Sequence, residues 1–248
     1  MKKRICKIFE FLKNILFPPK CVFCERILEP NQHLRVCGNC GDDIEICTDS
    51  VCCQRCGKPI LGFGEKQLCY FCLNRGTKYV DRIVSAFIYE GMVKDSVVKF
   101  KTHGYRGHAE VFARSVLAEI LQEYHGIEFD FVCGVPPHHK KKSGCDQVSI
   151  LCKRIARQLK IPYETNLFIR LRKTVKQSEL GFDKRLENVR NSLKVKEDAR
   201  TYGATVLLID DVCTTRATIM ECARALKESG AKHVYAATVA TVKNNEKI

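Results

Sequence analysis

The stretch from Val206 to Ile219, VLLIDDVCTTRATI, constrains the fold more than any other part of the chain. Its four consecutive apolar residues, 206–209, are too few for a helix and do not alternate with polar ones. They therefore predict a buried parallel strand, with Asp210 and Asp211 at its carboxyl end. An apolar stripe at helical spacing follows from Ile219, and Gly230 is expected to end that helix as a C-cap.

A loop rich in hydroxyl groups joins the predicted strand to the predicted helix. Unpaired backbone N–H groups, the positive helix end and threonine hydroxyls together suit a phosphate monoester. The candidate phosphate-binding residues are Thr214, Thr215, Arg216, Ala217 and Thr218. The two carboxylates suit the hydroxyls of a ribose, or a magnesium ion shared with a pyrophosphate. One end of this block thus favours a phosphate and the other favours a sugar.

This block resembles the phosphoribosyl pyrophosphate (PRPP) loop of type I phosphoribosyltransferases, hydrophobic-D-D-hydrophobic-x-T-T-G-x-T. The resemblance implies that Asp210 and Asp211 hold ribose hydroxyls or magnesium, while residues 214–218 cradle the 5′-phosphate. Arg216 stands where that family has glycine, which lets the backbone approach the phosphate closely. Two interpretations stay open: the arginine hinders this approach, or its guanidinium adds a charge-assisted contact to the same phosphate.

A cysteine motif occurs twice in the N-terminal part of the chain. Both copies have the pattern C-x-x-C, twelve residues, C-x-x-C, and they are offset by 32 positions: Cys21, Cys24, Cys37 and Cys40, then Cys53, Cys56, Cys69 and Cys72. Two such pairs of thiolates complete a tetrahedral site, as in zinc ribbons. The motif predicts one or two structural zinc ions. It leaves open whether both sites load and whether cysteines exchange between the copies.

Composition narrows the compartment and the class of partner. A formal net charge of +14 over 248 residues favours a polyanionic partner such as nucleic acid, or phosphate-rich ligands. Sixteen cysteines without an export signal favour metal ligation in the cytoplasm over disulfides. Residues 1–20 predict an amphipathic helix, which docks on the protein or lies on a membrane surface. No segment is long and apolar enough to span a bilayer.

From residue 77 onwards, predicted strands and helices alternate, which favours an α/β domain with a parallel sheet flanked by helices. We therefore divide the chain into the N-terminal helix 1–20, a double zinc-ribbon module 21–76 and a phosphoribosyltransferase-like domain 77–248. Ligands of such sheets bind beyond the carboxyl ends of the strands. The strand predicted at Phe131–Val135 ends in a loop with Lys140, Lys141 and Lys142, which is expected beside the acidic pair.

A basic segment lies between Asn166 and Leu193. In the transferases a mobile basic loop in this place closes over the bound pyrophosphate and excludes water. The resemblance implies a catalytic role for Arg172 and pyrophosphate contacts for Lys140, Lys141 and Lys142. A solvent-exposed helix with a basic face is the alternative interpretation.

Four elements together resemble the competence protein F (ComF) family, which includes the GntX-like proteins. They are the doubled cysteine module, the element Val135, Pro136, Gly144 and Gln147, the D-D-V-x-T-T loop, and R-x-T-x-x-Q-x-x-L-x(4)-R-x-x-N from Arg172 to Asn188. The resemblance implies a cytoplasmic zinc protein with a type I phosphoribosyltransferase fold. Its implied ligands are PRPP with magnesium and single-stranded DNA, in DNA uptake alongside other uptake proteins. A nucleotide-salvage transferase acting on a free base, and a non-catalytic PRPP-sensing module, stay open as alternatives.

Overall fold

The computed structural model describes residues 16, 18–29, 32, 34–44, 47, 51–60, 68–74, 77–103, 106–137, 146–172 and 182–243. Residues 1–15 of the predicted N-terminal helix lie outside this part of the chain, as do Lys140, Lys141 and Lys142. Among the described residues, no helix combines the length and the apolar character that crossing a bilayer requires.

Short helices occur in the cysteine-rich part, and strands and helices alternate after it. The elements in chain order are α1 (Gly38–Asp43), α2 (Tyr70–Asn74), β1 (Arg82–Ile88), α3 (Gly91–His103), α4 (Arg106–Glu123), β2 (Phe131–Gly134), α5 (Gln147–Leu159), β3 (Tyr163–Glu164), β4 (Phe168–Arg170), α6 (Phe182–Val189), β5 (Leu193–Val195), β6 (Thr205–Cys213), α7 (Ala217–Glu228) and β7 (His233–Thr241). The strand predicted at Phe131–Val135 is confirmed as β2, which ends one residue earlier.

Five strands form one parallel sheet in the order β1-β7-β6-β2-β3. The central strand is β6, in which Leu208 lies opposite Ala236 of β7 and Cys133 of β2. Strands β4 and β5 form a separate antiparallel pair. The predicted parallel sheet is thus confirmed, and the loops after β2 and β6 leave the same edge of neighbouring strands.

Alternate residues of β6 point into two separate hydrophobic cores. Core A contains Leu207 and Ile209 and includes residues of α3, α4 and α5, among them Phe100, Phe112 and Leu151. Core B contains Val206 and Leu208 and includes residues of α7 and β5, among them Ile219, Leu226 and Leu193. A parallel sheet needs cover on both faces, because each of its strands is apolar on both sides.

Each cysteine copy belongs to a different core. In the first copy, the Phe23 ring lies 5.7 Å from the Phe87 ring in core A, and Ser96 Oγ donates a hydrogen bond to the Val22 carbonyl at 2.8 Å. In the second copy, the four cysteines and Phe71 belong to core B. The two ribbons therefore cover opposite faces of the sheet.

The strand β6 is longer than the four apolar residues predict. Asp210 pairs with Thr238 and Cys213 pairs with Thr241, so the acidic pair lies within the strand instead of at its end. The prediction was wrong here because β7 continues beside β6 and supplies backbone partners that local apolarity does not reveal. The following helix likewise begins earlier, at Ala217.

The second cysteine copy approaches β1 through a glycine turn. Gly57 has a φ of +65°, and a Cβ atom built on it would lie 2.5 Å from the Ile83 carbonyl oxygen. The Ile83 N–H donates a hydrogen bond to the Arg55 carbonyl at 2.9 Å, which ties the same turn to the strand. Only glycine combines the left-handed backbone with this close approach.

Gly57→Ala is therefore expected to lower the free energy of unfolding by about 2 kcal/mol or more, since it combines a left-handed alanine with a steric clash. Gly38→Ala, in the same module, is the matched control, because nothing lies within 4 Å of a Cβ atom there. Urea unfolding of both variants measures the difference. Equal loss of stability in the two variants would contradict the close approach at Gly57.

Candidate functional site

The acidic pair lies near the end of β6, close to a lysine that no sequence motif singles out. Lys101 of α3 places its Nζ 2.8 Å from Oδ1 of Asp211. Burial opposes the charge on Lys101, but the Asp211 and Asp210 carboxylates raise its pKa. Oδ1 of Asp210 accepts a hydrogen bond from the Asp211 N–H at 2.8 Å. The Asp211 carboxylate therefore forms an ion pair with Lys101, and the Asp210 carboxylate accepts a hydrogen bond from the backbone of the next residue.

The surroundings of Asp210 disfavour its ionised form. Burial raises its pKa from the ordinary 3.8 to about 8, and the neighbouring Asp211 carboxylate contributes in the same direction. Lys101 opposes this shift but does not cancel it. A second positive charge, or donor hydroxyl groups, would therefore stabilise the ionised pair.

The loop after β6 brings the predicted phosphate-binding residues together. One small pocket is lined by Asp210 and residues 212–219. Thr214 and Thr218 are half-buried, whereas Thr215 is buried and accepts a hydrogen bond from the Ala217 N–H at 3.4 Å. The first residues of α7, a 12-residue helix, thus line the same pocket as Asp210. Their backbone N–H groups are of the kind that binds anions at a helix N-terminus.

Arg216 has an unexpected environment. Its φ of 66° is left-handed, which costs a residue other than glycine roughly 1–2 kcal/mol. Its side chain is buried, with Nη1 donating to the Cys56 sulfur at 3.2 Å and Cζ 4.1 Å from the centroid of the Phe71 ring. The guanidinium therefore contacts the second cysteine cluster, which neither sequence-based interpretation anticipated.

Two other arginines tie the basic segment to its surroundings. Arg172 donates to the carbonyls of Glu187 and Arg190, at the end of α6, at 3.2 and 2.9 Å. Arg170 donates to the carbonyls of Pro136 and Pro137, in the loop after β2, at 3.2 and 3.1 Å. The contacts of Arg172 are thus those of a helix C-cap. The segment between them and α6, residues 173–181, lies outside the described residues.

The cysteines assemble into two groups of four, one from each copy. The groups are Cys21, Cys24, Cys37 and Cys40, and Cys53, Cys56, Cys69 and Cys72, with all sulfurs of a group within 4.8 Å of one another. Cysteines therefore do not exchange between the copies. The copies also share their backbone contacts, since the Cys37 N–H points to Cys21 Sγ at 3.4 Å and the Cys69 N–H to Cys53 Sγ at 3.3 Å.

Both groups fit a zinc ion. In a tetrahedral site with Zn–S distances of about 2.3 Å, the sulfurs lie about 3.8 Å apart. The Cys24–Cys37 and Cys56–Cys69 sulfur pairs are both separated by 3.6 Å. Four sulfur ligands complete the coordination of zinc, so such sites are structural.

Sequence patterns do not reveal the partners of three residues near these sites. Lys101 and Arg170 reach the sheet edge from distant parts of the chain, and no spacing pattern links them to it. Lys58 is buried beside the second cysteine group, where burial and Arg216 lower its pKa. Its position immediately after Gly57, in the turn that follows a C-x-x-C pair, is the one local signal that marks it.

Known proteins resemble this chain both in its cysteine-rich part and over most of its length. Residues 12–73 match the family described as "Double zinc ribbon domain". The chain is 25% identical over 222 residues to DNA utilization protein YhgH of Escherichia coli, covering 88% of this chain and 94% of that protein. It is 24% identical over 222 residues to Competence protein F of Haemophilus influenzae, covering 87% and 93%.

A solved structure of glutamine PRPP amidotransferase from B. subtilis, complexed with ADP and GMP, is 25% identical with a TM-score of 0.34. The match covers 52% of this chain, which spans about a quarter of that enzyme's length, 26%. With its parallel sheet, flanking helices and two four-cysteine groups, the chain has the predicted fold class. It carries an N-terminal double zinc ribbon, and it is a homologue of DNA utilization protein YhgH and of Competence protein F, which confirms the predicted ComF resemblance.

Proposed function

We propose that this protein binds PRPP with magnesium at the edge formed by the acidic pair and residues 213–218. We propose further that it binds single-stranded DNA and acts in the cytoplasm on DNA that the cell has taken up. One observation carries the proposal: Asp210 and residues 212–219 line a single pocket. The carboxylate that suits the sugar or its metal thus lies next to the loop that suits the phosphate.

Each end of the pocket has its own chemistry. Asp210 and Asp211 would hold ribose hydroxyls or a magnesium ion, since both are oxygen ligands of the kind that magnesium prefers. The magnesium ion would neutralise charge on the pyrophosphate group. The backbone N–H groups at the start of α7 and the hydroxyls of Thr214 and Thr218 would receive the 5′-phosphate. Lys140, Lys141 and Lys142 would meet the pyrophosphate, because their loop follows β2 at the same sheet edge.

Lys101 influences which ligand the acidic pair favours. Its ammonium group lies 2.8 Å from the Asp211 carboxylate and offsets part of the negative charge of the pair. A second positive charge at the pair, or a set of hydroxyl groups, would then relieve the repulsion between the two carboxylates. This arrangement favours a ligand that brings both a cation and a polyol.

DNA binding is supported by charge and by the names of the relatives. The chain has a net charge of +14, and basic surfaces bind nucleic acid through counterion release. The relatives are named for DNA utilization and for competence. A groove between α4 and α5 is lined by Arg114, Arg154 and Arg157, with Leu117 and Leu121 beside them. Three guanidinium groups along one groove suit the phosphates of a single strand.

Calorimetric titration of the zinc-loaded protein with PRPP and magnesium tests the proposal, with and without a short oligothymidylate. Micromolar PRPP binding that changes in the presence of the oligonucleotide is the expected result. Turnover of PRPP with a free base would instead favour nucleotide salvage. PRPP binding without turnover and without any response to the oligonucleotide would favour a sensing module. The absence of PRPP binding would refute the proposal.

We expect two zinc ions per chain in the purified protein, one for each four-cysteine group. Replacing Cys21 and Cys24 by serine should reduce the content to one, because two of the four ligands of the first site are lost. Metal analysis of the purified variants measures this. Cys52→Ser is the control, since Cys52 belongs to neither group and should leave two ions bound. Unchanged zinc content in the double variant would contradict the assignment.

Asp210→Asn should separate stability from ligand binding. The pKa of Asp210 is raised to about 8, so the folded state holds a proton that the unfolded state has lost above pH 4. The unfolding free energy of the wild type therefore falls as pH rises from about 4 to about 8. The neutral amide lacks this penalty. We expect nearly equal melting temperatures at pH 4 and a variant that is more stable by roughly 10 °C or more at pH 8, because each tenfold change in proton affinity corresponds to about 1.4 kcal/mol.

The same variant should lose PRPP affinity on the order of a hundredfold, as expected when a charged hydrogen-bonding partner is removed. Asp198→Asn is the control, because it removes the same charge from an exposed carboxylate. Thermal unfolding at both pH values and calorimetry measure the two effects. A more stable variant with unchanged PRPP affinity would remove Asp210 from the proposed site.

Replacing Arg114, Arg154 and Arg157 by glutamine should weaken oligothymidylate binding. The dependence of log K on log salt concentration should become shallower by about 2, since each phosphate contact on a single strand contributes roughly 0.7. Fluorescence titrations at several salt concentrations measure this slope. A control variant, with Lys78, Arg200 and Lys232 replaced by glutamine, loses the same charge at exposed positions before β1, β6 and β7. Equal slopes in the two variants would exclude the groove as the DNA path.

A further inference from the structure

A buried arginine joins the second zinc site to the pocket loop. Arg216 immediately precedes the first residue of α7, and it is therefore part of the loop that lines the pocket. Its Nη1 donates to the Cys56 sulfur at 3.2 Å, although 160 residues separate the two along the chain. One side chain thus connects the two sites directly.

The surroundings of the guanidinium indicate what it binds. Its Nε and Nη2 atoms are buried and have no hydrogen-bond partner among the described residues. A buried cation needs compensating negative charge. In a four-cysteine zinc site, the thiolates carry more negative charge than one zinc ion neutralises. The second cluster therefore supplies the anion that Arg216 lacks elsewhere.

The internal repeat provides a comparison. Cys24 holds in the first copy the position that Cys56 holds in the second, and the sulfur separations to Cys37 and Cys69 are the same. Cys24 is exposed, so water can hydrogen-bond to its thiolate, whereas Cys56 is fully buried. The second copy has replaced solvent with a guanidinium group. The first copy has no equivalent link to the pocket loop among the described residues.

Phe71 fixes the orientation of the guanidinium. The Phe71 ring lies 4.1 Å from Cζ of Arg216 and belongs to α2, which also carries the zinc ligand Cys72. A planar guanidinium stacks on an aromatic face, and an ammonium group does not present the same surface. The contact thus depends on arginine itself and on a ring anchored in the ribbon.

We propose that Arg216 is a positioning residue that couples the second zinc site to the pocket loop. The hydrogen bond holds Cys56 in the orientation required for metal binding, and the same contact holds the loop in its left-handed turn before α7. Zinc bound by the second cluster and ligand bound in the pocket would then stabilise each other. The half of this inference that concerns the pocket ligand depends on the proposed function; the half that concerns zinc does not.

Arg216→Gly tests the zinc half, because glycine accepts the left-handed backbone and leaves all eight ligands in place. Zinc transfer to a chromophoric chelator should reveal one ion bound about 10–100-fold more weakly, as when a hydrogen bond to a metal ligand is lost. Hydrogen exchange should locate the opening in residues 51–60. Arg216→Lys, which keeps the charge without the planar group, should lie between this variant and the wild type.

Arg26→Gln is the matched control, since Arg26 is an exposed arginine beside the first site. Both of its zinc ions should be retained as in the wild type. Folded Arg216→Gly protein that retains both ions with wild-type affinity would overturn the proposal. So would equal weakening of the two zinc sites, since the contact involves the second alone.

Reciprocity tests the pocket half. PRPP with magnesium should tighten binding of the second zinc ion, detected as slower release, in the wild type but not in Arg216→Gly, because coupling between two ligands changes both affinities by the same factor. Equal slowing in both proteins would overturn the coupling. If the wild type binds no PRPP while Arg216→Gly still releases the second zinc ion early, the proposed function fails and the role of Arg216 in the zinc site stands.

Discussion

The need to cover both faces of a parallel sheet determines the structure of this protein. The central strand β6 sends alternate residues into two cores, and each core must be closed from a different side. Three long helices cover most of one face, whereas the other has α7 and a short antiparallel pair. The doubled cysteine motif completes the cover on both faces, since one copy lies in each core. A repeat that looks redundant in the sequence thus serves two distinct places in the fold.

The two ribbons are attached by different chemistry. The first is held by aromatic packing, by the hydrogen bond from Ser96 to the Val22 carbonyl and by an ion pair between Lys99 and Glu25 at 2.8 Å, and its cysteine Cys24 faces solvent. The second is held through a glycine turn against β1 and through a buried cation at its thiolates. Among the described residues, the contacts named for the first ribbon involve β1 and α3, whereas those of the second include Arg216, a residue of the pocket loop. Loss of metal from the second site would therefore affect the pocket loop directly, through the contact between Arg216 and Cys56.

Local patterns in the sequence were sufficient to predict the strand β6 and the eight cysteines that make up the two groups. Strand length, pairing within each copy and the environments of Lys101 and Arg216 were not predictable. The extension of β6 depends on a neighbouring strand, and the Arg216–Cys56 contact joins positions 160 residues apart. Such contacts form only when distant segments of the chain meet in the fold. An arginine also looks the same in the sequence whether its guanidinium binds a phosphate or a thiolate. Residue type predicted the charge, and the fold determined its partner.

The departure from glycine at position 216 illustrates this point in energetic terms. A left-handed arginine costs roughly 1–2 kcal/mol relative to a favourable backbone. Burial of its guanidinium adds to that cost, so the residue is tolerated only where something specific compensates for it. Here the compensation is an anionic metal cluster and an aromatic ring, both from the ribbon. The loop that has glycine at this position in the transferase motif is in this protein fixed to a four-cysteine site. Its conformation therefore depends on the integrity of a domain more than a hundred residues away in the chain.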